Sequence, residues 1–173
     1  MVTSILGFIF GSFKGEEQQM EYNKHTFTRT GNYWETKVSN VNVKLNFFPT
    51  ELTDVNVTND TIAKLKSTKM IYITTPTQGS NLDYISLTAF ELADFLTTFQ
   101  IFPQRGILDN NTNYTLPLIN CESATQYVPV IKIENANQTQ AYLDGNCIII
   151  EAQYGQDFLR VKDKIILKFL GIM

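Results

Sequence analysis

The clearest candidates for covalent chemistry in this chain are its two cysteines, Cys121 and Cys147. They lie too far apart for a C-x-x-C motif, in which one thiolate activates the other. A disulfide between them would remove unfolded-state entropy worth roughly 3–4 kcal/mol. Two alternatives stay open: two reduced thiols in the core, or a reactive Cys121 at the start of a helical turn. We predict the structural disulfide.

The other side chains offer little material for catalysis or metal binding. His25 is the single histidine, and no Ser-His-Asp or H-E-x-x-H pattern surrounds it. A zinc site needs four ligands at standard spacings. Paired carboxylates occur, but none has the apolar neighbours that would raise a pKa for acid–base work. These are Glu16 with Glu17, and Glu51 with Asp54 or Asp60. We therefore predict no metal, no cofactor and no catalytic residue.

One loop, T-T-P-T-Q-G-S-N at residues 74–81, has the composition of an anion site. Backbone N–H groups at Gly79 and Ser80 would stand at the start of a helix, where they can hold a phosphate. Against this, the loop has neither P-loop spacing nor a lysine, and Asp83 would occupy the positive end of the helix. An enzyme of unknown reaction that uses the Gly79–Ser80 loop or Cys121 is our second alternative for function.

Length and composition describe a single folded domain. The chain has 173 residues, with 43% hydrophobic and 18% charged residues, which suits one domain with a sizeable core. Its net charge of -3 argues against nucleic acid as a partner, because phosphate binding needs a clustered surplus of Lys and Arg. Arginine occurs only at Arg29, Arg105 and Arg160, which also weakens any case for a phosphate clamp.

The N-terminal segment is apolar and has no charged side chain before Lys14. It is shorter than the ~20 residues that span a bilayer, and it lacks the basic region of a secretory signal. It is typical of the last part of a membrane anchor whose beginning is missing, or of an arm that docks on a partner. The alternative is a first strand or helix of the core. The candidate partner- or membrane-binding residues are Ile5, Leu6, Phe8, Ile9, Phe10 and Phe13.

Five N-x-[ST] sequons point to an extracytoplasmic, glycosylated protein. All five lie in stretches that we predict to be loops or loop edges, where a glycan can be accommodated. They are Asn56, Asn59, Asn110, Asn113 and Asn137. Together with the paired cysteines, they favour a location outside the cytoplasm.

Several aromatic side chains fall at positions where exposure is possible. They would form a recognition patch if they lay together on the surface. The alternative is that they pack on the face or rim of a sheet. The residues are Tyr22, Tyr33, Trp34, Tyr114 and Tyr127.

The N-terminal half predicts an antiparallel meander. Residues 25–30 and 33–38 read as strands joined by the hairpin turn Gly31-Asn32. Residues 41–48 alternate between apolar and polar side chains, which is typical of a strand with one wet face. A short helix over 61–67 follows, capped by Asn59 or Asp60.

The middle of the chain predicts a central strand and the longest helix. Residues 69–75 form a compact apolar strand. Ser80-x-x-Asp83 reads as the capping box of a mostly buried helix that ends before Pro103. Residues 104–116 then form a loop.

The stretch 118–152 organises the C-terminal part. Asn120 caps a helical turn over 121–126, and residues 128–134 form the first arm of a hairpin. Residues 135–144 are its polar loop, and Cys147 starts the second arm. A final amphipathic helix covers 157–170. The predicted fold is α+β: a single domain with a mixed or antiparallel sheet, an N-terminal meander, a C-terminal hairpin and two main helices on one face.

The second half resembles a family of small uncharacterised archaeal proteins that are predicted to be membrane-anchored and exported. The resemblance covers roughly the last hundred residues and implies an N-terminal anchor and an outward-facing domain, but no catalytic residue. Its motifs are K-M-I-Y-I-T-T-P (69–76), P-L-I-N-C-E-S-A-T (117–125), P-V-I-K-I (129–133), G-N-C-I-I-I (145–150) and D-K-I-I-L-K-F-L-G-I (163–172). The short apolar N-terminus departs from the family pattern.

These observations predict an arm and linker at 1–19 and one α+β domain at 20–173. The expected function is a non-enzymatic, extracytoplasmic interaction domain that its apolar N-terminus holds to a membrane or an assembly. Its partner is another protein or a second copy of the chain. The first alternative is a subunit of an archaeal cell-surface filament or layer, with the N-terminal arm inserted in a neighbour.

Overall fold

A computed structural model describes residues 18–111 and 113–173. The predicted arm at 2–13 and the pair Glu16–Glu17 lie outside the described residues. The strands are β1 (Gln19–Tyr22), β2 (His25–Thr30), β3 (Tyr33–Val38), β4 (Val41–Leu45), β5 (Asn56–Val57), β6 (Met70–Thr75), β7 (Phe102–Ile107), β8 (Val130–Asn135), β9 (Gln140–Asp144) and β10 (Cys147–Ala152). The helices are α1 (Asn59–Ser67), α2 (Leu82–Thr98) and α3 (Gly155–Phe169), and 3-10 turns cover Pro49–Leu52 and Cys121–Ser123.

The first four strands form the predicted meander, in the order β1-β2-β3-β4 and antiparallel throughout. Its turns need positive φ, which Gly31 and the pair Ser39–Asn40 adopt, so the two-residue hairpins match the twist of the strands. Apolar side chains on the inner face pack around Phe48. Strand β1 begins at Gln19, within the predicted linker, and was not predicted from the sequence.

The remaining strands form a second, six-stranded sheet in the order β5-β9-β10-β8-β6-β7. Strands β10, β8, β6 and β7 are parallel, and β9 runs antiparallel to β10. Isoleucines at alternate positions, such as Ile73, Ile131 and Ile148, point into a core shared with helices α2 and α3. The domain is therefore α+β, as the sequence predicts.

The predicted C-terminal hairpin is wrong. β8 and β10 are neighbours, but they run parallel, with Val130 opposite Cys147. Parallel strands need a crossover connection, and the residues that we predicted to be a loop supply β9, which forms the true hairpin with β10 through the turn at Gly145. The sequence did contain a signal for strand β9, because Ala141 and Leu143 alternate with polar residues.

Other boundaries also differ from the predictions. The predicted loop at 104–116 contains most of β7, where Pro103 is tolerated because this strand is at the edge of the sheet. Helix α1 is capped by the side chain of Thr58 and not by Asn59 or Asp60. Helix α2 starts after Asn81, whose backbone is left-handed and whose side chain makes no cap hydrogen bond. The predicted capping box at Ser80 is therefore wrong.

None of the helices within residues 18–111 and 113–173 is both long enough and apolar enough to cross a membrane.

Candidate functional site

A cleft of about 380 Å³ opens between the last strand of the meander and helix α2. We call it the β4 cleft. One wall is formed by four consecutive residues of β4 and by Tyr33, the other by α2, and α3 forms the floor. Its lining comprises Tyr33, Val41, Asn42, Val43, Lys44, Phe90, Glu91, Asp94, Phe95, Thr98, Lys162 and Ile166. Neighbouring side chains of a strand point to opposite faces, so a cleft that touches four in a row follows the edge of the strand.

Within the part of the chain that the structure describes, no strand lies beside the edge of β4 that faces this cleft. Among the described residues, β4 pairs only with β3. The two-residue turn makes Val38 and Val41 a hydrogen-bonded pair. Alternation along an antiparallel ladder then directs the backbone N–H and C=O groups of Asn42 and Lys44 away from β3. The cleft therefore offers four backbone hydrogen-bonding groups on an open edge.

The floor of the cleft holds a buried lysine whose donors are all engaged. Lys162 is 1% exposed, and its Nζ lies 2.5 Å from Glu91 Oε2 and 2.8 Å from Asn46 Oδ1. The third neighbour is Asp163, whose Oδ1 is 2.7 Å away in an ion pair, although this oxygen accepts no well-directed hydrogen bond. An ammonium group has three donors, and here each has a close oxygen.

Asp163 ties helix α3 to the end of β4. Its Oδ2 accepts hydrogen bonds from the backbone N–H groups of Asn46 at 2.7 Å and Phe47 at 2.9 Å. Asn46 is the next residue in the outward-facing series after Asn42 and Lys44, so the carboxylate stands where a further strand would bind. The open part of the edge thus ends at Asn46.

The electrostatics of this floor are those of a structural ion cluster. Burial raises the pKa of Asp163 to about 6, although Lys162 and the two backbone N–H groups oppose the rise. Burial also acts to lower the pKa of Lys162, but the carboxylates of Asp163 and Glu91 outweigh it, and the net pKa is raised. A lysine nucleophile needs a lowered pKa. Lys162 instead stays charged and bonded, which suits positioning and not chemistry.

The two cysteines lie on the other side of the six-stranded sheet. Cys121 and Cys147 are disulfide-bonded, with their Cα atoms 5.2 Å apart. The bond holds the segment at 117–124 across the face opposite α2 and α3. Thr74 donates a hydrogen bond of 2.9 Å to the carbonyl of Ile119. Ile119 lies so close to Gly106 that a Cβ there would come within 2.7 Å of it. The reactive-thiol alternative for Cys121 is wrong, because its sulfur is in the bond.

The Gly79–Ser80 loop is fastened to the ends of two strands. The carbonyl of Ser80 accepts a 3.0 Å hydrogen bond from Asn135, and the side chain of Asn81 donates to Asn135 and to the carbonyl of Gln153. This loop lies at the start of α2, about 12 Å along the helix from Phe90. It does not contribute to the β4 cleft.

The sequon asparagines are all exposed, but two are not in loops. Asn56 is the first residue of the two-residue strand β5 and Asn59 is the first residue of α1, so both lie at the edge of a loop. Asn59 also accepts a hydrogen bond from Lys168. Asn110, Asn113 and Asn137 lie outside strands and helices, as predicted.

The predicted aromatic patch is broken up. Trp34 is buried, with its ring 5.0 Å from that of Phe48, because its strand directs it to the inner face of the meander. Tyr114 and Tyr127 are exposed. Tyr33 lies at the β4 cleft, so it is the member of the set that reaches the candidate site.

The two charged residues on the floor of the cleft, Lys162 and Asp163, were not predicted from the sequence to form a site. Lys162 lies four residues after Phe158 and four before Ile166, and Asp163 is placed in the same way between Leu159 and Leu167. Residues four apart share one face of a helix. A lysine and an aspartate that interrupt apolar stripes therefore indicate buried charged residues, and this was the signal available in the sequence.

No protein-family model, curated protein or solved structure matches this chain. The resemblance to archaeal anchored proteins therefore stays a prediction, and the site rests on the geometry of this molecule.

Proposed function

We propose that this protein is an extracytoplasmic interaction domain that binds another polypeptide, and that residues 2–13 hold it to a membrane or an assembly. The observation that carries the proposal is the β4 cleft. It presents an unpaired strand edge next to apolar side chains such as Phe90, which is 67% exposed. Exposed apolar surface rimmed by polar residues is typical of a protein-binding site.

Binding fits this cleft better than catalysis. The ionisable groups on its floor are paired with one another, since Lys162 contacts both Glu91 and Asp163. A catalytic group also needs a free position beside the substrate. Asp163, whose pKa is raised to about 6, is fully buried and held by Lys162 and two backbone N–H groups, so it offers none. The rest of the cleft consists of the backbone edge of β4 and apolar side chains. Such a surface can bind an extended polypeptide of matching shape.

The location is supported by the disulfide and by the exposed sequon asparagines. Disulfides persist in oxidising compartments and are rare in the cytosol. The five asparagines present their side chains to solvent, where an enzyme that adds glycans can reach them. We place the protein on an archaeal cell surface, in line with the family that its second half resembles.

Intact mass of the protein from its native source tests the location. We expect reduction to add two hydrogen atoms to the mass and a deglycosylating enzyme to lower it. Thiol alkylation under native, non-reducing conditions should leave Cys121 and Cys147 unmodified. Prompt alkylation of Cys121, together with an unmodified mass at every sequon, would contradict an extracytoplasmic location.

The second candidate is a subunit of a surface filament or layer. It is favoured by one combination: the sequence has an uncharged apolar arm, and the fold has an open strand edge. Strand addition between neighbouring copies uses these two features. Sedimentation of the full chain and of an arm-deleted chain distinguishes the two candidates. A subunit assembles only with its arm, whereas an anchored binding domain stays monomeric in both forms.

A further inference from the structure

We propose that the β4 cleft binds an extended segment by strand addition, and that this segment is residues 5–13 of a second copy of the chain. The inference rests on the second candidate function, the subunit of a surface assembly, and names the segment of the neighbouring copy that the cleft binds. The arm of one copy would bind the β4 edge of the next copy, which is a head-to-tail contact.

The backbone geometry defines where the added strand would pair. Asn42 and Lys44 direct their N–H and C=O groups to the open edge, and both residues are exposed. A strand placed there would lie about 4.8 Å from β4. The ladder would stop at Asn46, whose N–H is already bonded to Asp163. The site therefore takes a short strand and sets its position along the edge.

The side walls define the kind of segment. Val43 and Phe95 are buried on the inner side of the cleft, and Phe90 stands exposed on the outer part of the α2 wall. A cavity of about 380 Å³ lies in the range of specific ligand sites. Apolar side chains alternating on the added strand would cover these surfaces.

Charge also favours an uncharged segment. Glu91 is already paired with Lys162. Among residues 18–111 and 113–173, Lys44 pairs only with Glu35, at 3.5 Å and exposed, and Asp94 at the cleft is exposed. A charged side chain brought into the cleft would lose hydration without a buried partner. Residues 5–13, I-L-G-F-I-F-G-S-F, contain no charge, and their isoleucines and phenylalanines have high strand propensity.

The sheet order favours the arm of another copy over a chain's own arm. The chain enters the meander at β1, which is at the opposite edge from β4. Three strand spacings separate these edges, about 14 Å. Residues 14–18 reach about 18 Å when fully extended, which leaves almost no length for the path around the sheet. A neighbouring copy has no such restraint.

The test blocks the edge without touching the pairing with β3. Asn42→Pro removes an N–H that points to the open edge, a position where proline is tolerated. Glu21→Pro is the matched control, because Glu21 has the same outward orientation on β1, the other edge of the same sheet. We expect N42P to weaken self-association of the full chain at least about tenfold, the value of one to two hydrogen bonds, and E21P to leave it unchanged. Sedimentation equilibrium gives both constants, and thermal unfolding checks that each variant is folded.

A mixing experiment distinguishes an arm that binds the cleft of another copy from an arm that binds the cleft of its own chain. N42P keeps its arm but has a blocked cleft, while Phe10→Pro keeps its cleft but has a disrupted arm. At a concentration where the wild type assembles and each variant alone is monomeric, an equimolar mixture should form a heterodimer.

A mixture that stays monomeric, or an N42P chain that assembles like the wild type, overturns the inference. The same holds if the full chain is monomeric at every concentration and binds only to lipid vesicles. None of these results affects the proposed location of the protein, which is argued from the disulfide and from the exposed sequon asparagines.

Discussion

The molecule uses two different ties to hold distant segments against its sheets, and they respond to different conditions. On one side, the Cys121–Cys147 bond fixes a loop across the six-stranded sheet. On the other, Asp163 and Lys162 of α3 hold the end of β4 with charges and hydrogen bonds. The first tie is covalent and independent of pH. The second borders the candidate binding edge and depends on protonation, so conditions that leave the first intact can alter the second.

Removing the carboxylate of the ionic tie should have the largest effect. Asp163→Ala leaves Lys162 with one carboxylate fewer and leaves the N–H groups of Asn46 and Phe47 unpaired. We expect a loss of about 3–5 kcal/mol in the free energy of unfolding, as for other broken buried pairs. Urea denaturation with the disulfide intact measures it. Asp94→Ala, an exposed aspartate at the same cleft, is the control and should change stability by less than about 0.5 kcal/mol. A loss below about 1 kcal/mol for D163A would mean that this tie is dispensable.

Removing the disulfide should lower the free energy of unfolding slightly less than Asp163→Ala does. The double variant Cys121→Ser, Cys147→Ala should lose roughly 3–4 kcal/mol of unfolding free energy, because the unfolded chain regains the entropy of the closed loop. The loss should be the same at pH 4 and pH 7, since disulfide sulfurs do not titrate. Denaturation of the wild type with and without reductant provides an independent measurement. A pH-dependent loss would show that the two ties are coupled.

The pH response of the ionic tie follows from the pKa of Asp163, which is raised from 3.8 to about 6 in the folded protein. Between these values the folded state binds more protons than the unfolded state, so stability decreases as pH rises from 4 to 6 and levels off above 6. Asp163→Asn keeps an acceptor but cannot ionise. We expect the stability of the wild type relative to D163N to fall by about 3 kcal/mol from pH 4 to pH 7. A flat difference across this range would rule out Asp163 as the titrating group.

The smallest effect is expected at the partly exposed contacts of α3, where the side chains of Arg160 and Asp157 are 21% and 17% exposed. Arg160 bridges Asp157 and Asp54 and donates to the carbonyl of Glu51. The side chain of Asp54 is largely exposed, so solvent and salt weaken the pairing. Arg160→Ala should lower the free energy of unfolding by about 0.5–1 kcal/mol, and by less at high salt. A loss that matched D163A would remove the distinction between buried and exposed contacts.

Local features of the fold were predictable because they depend on neighbouring residues. Strands β2 and β3 lie where alternation and the Gly31 turn placed them. Helix α3 follows its apolar stripe to within two residues at its start. The disulfide was accessible too, because two cysteines allow one intramolecular bond.

Strand pairing was not predictable in the same way. The segments that form β8 and β10 were recognised, but their parallel alignment depends on β9 taking the other side of β10. A strand carries no local mark of which neighbour it will choose, since its backbone groups fit either one. The hairpin prediction failed for this reason.

By itself, the sequence determined the α+β class and the apolar, uncharged composition of the arm, and it predicted the disulfide that the structure shows. Composition and spacing along the chain carry that information. Only the tertiary structure decided the candidate site. The β4 cleft joins residues near positions 42, 91 and 162. Lys162 and Asp163 fall on apolar stripes of α3, but the sequence does not show which residues bury them or which groups they contact. Burial and an unpaired edge are properties of how segments pack together, and for that reason they appear only when the fold is complete.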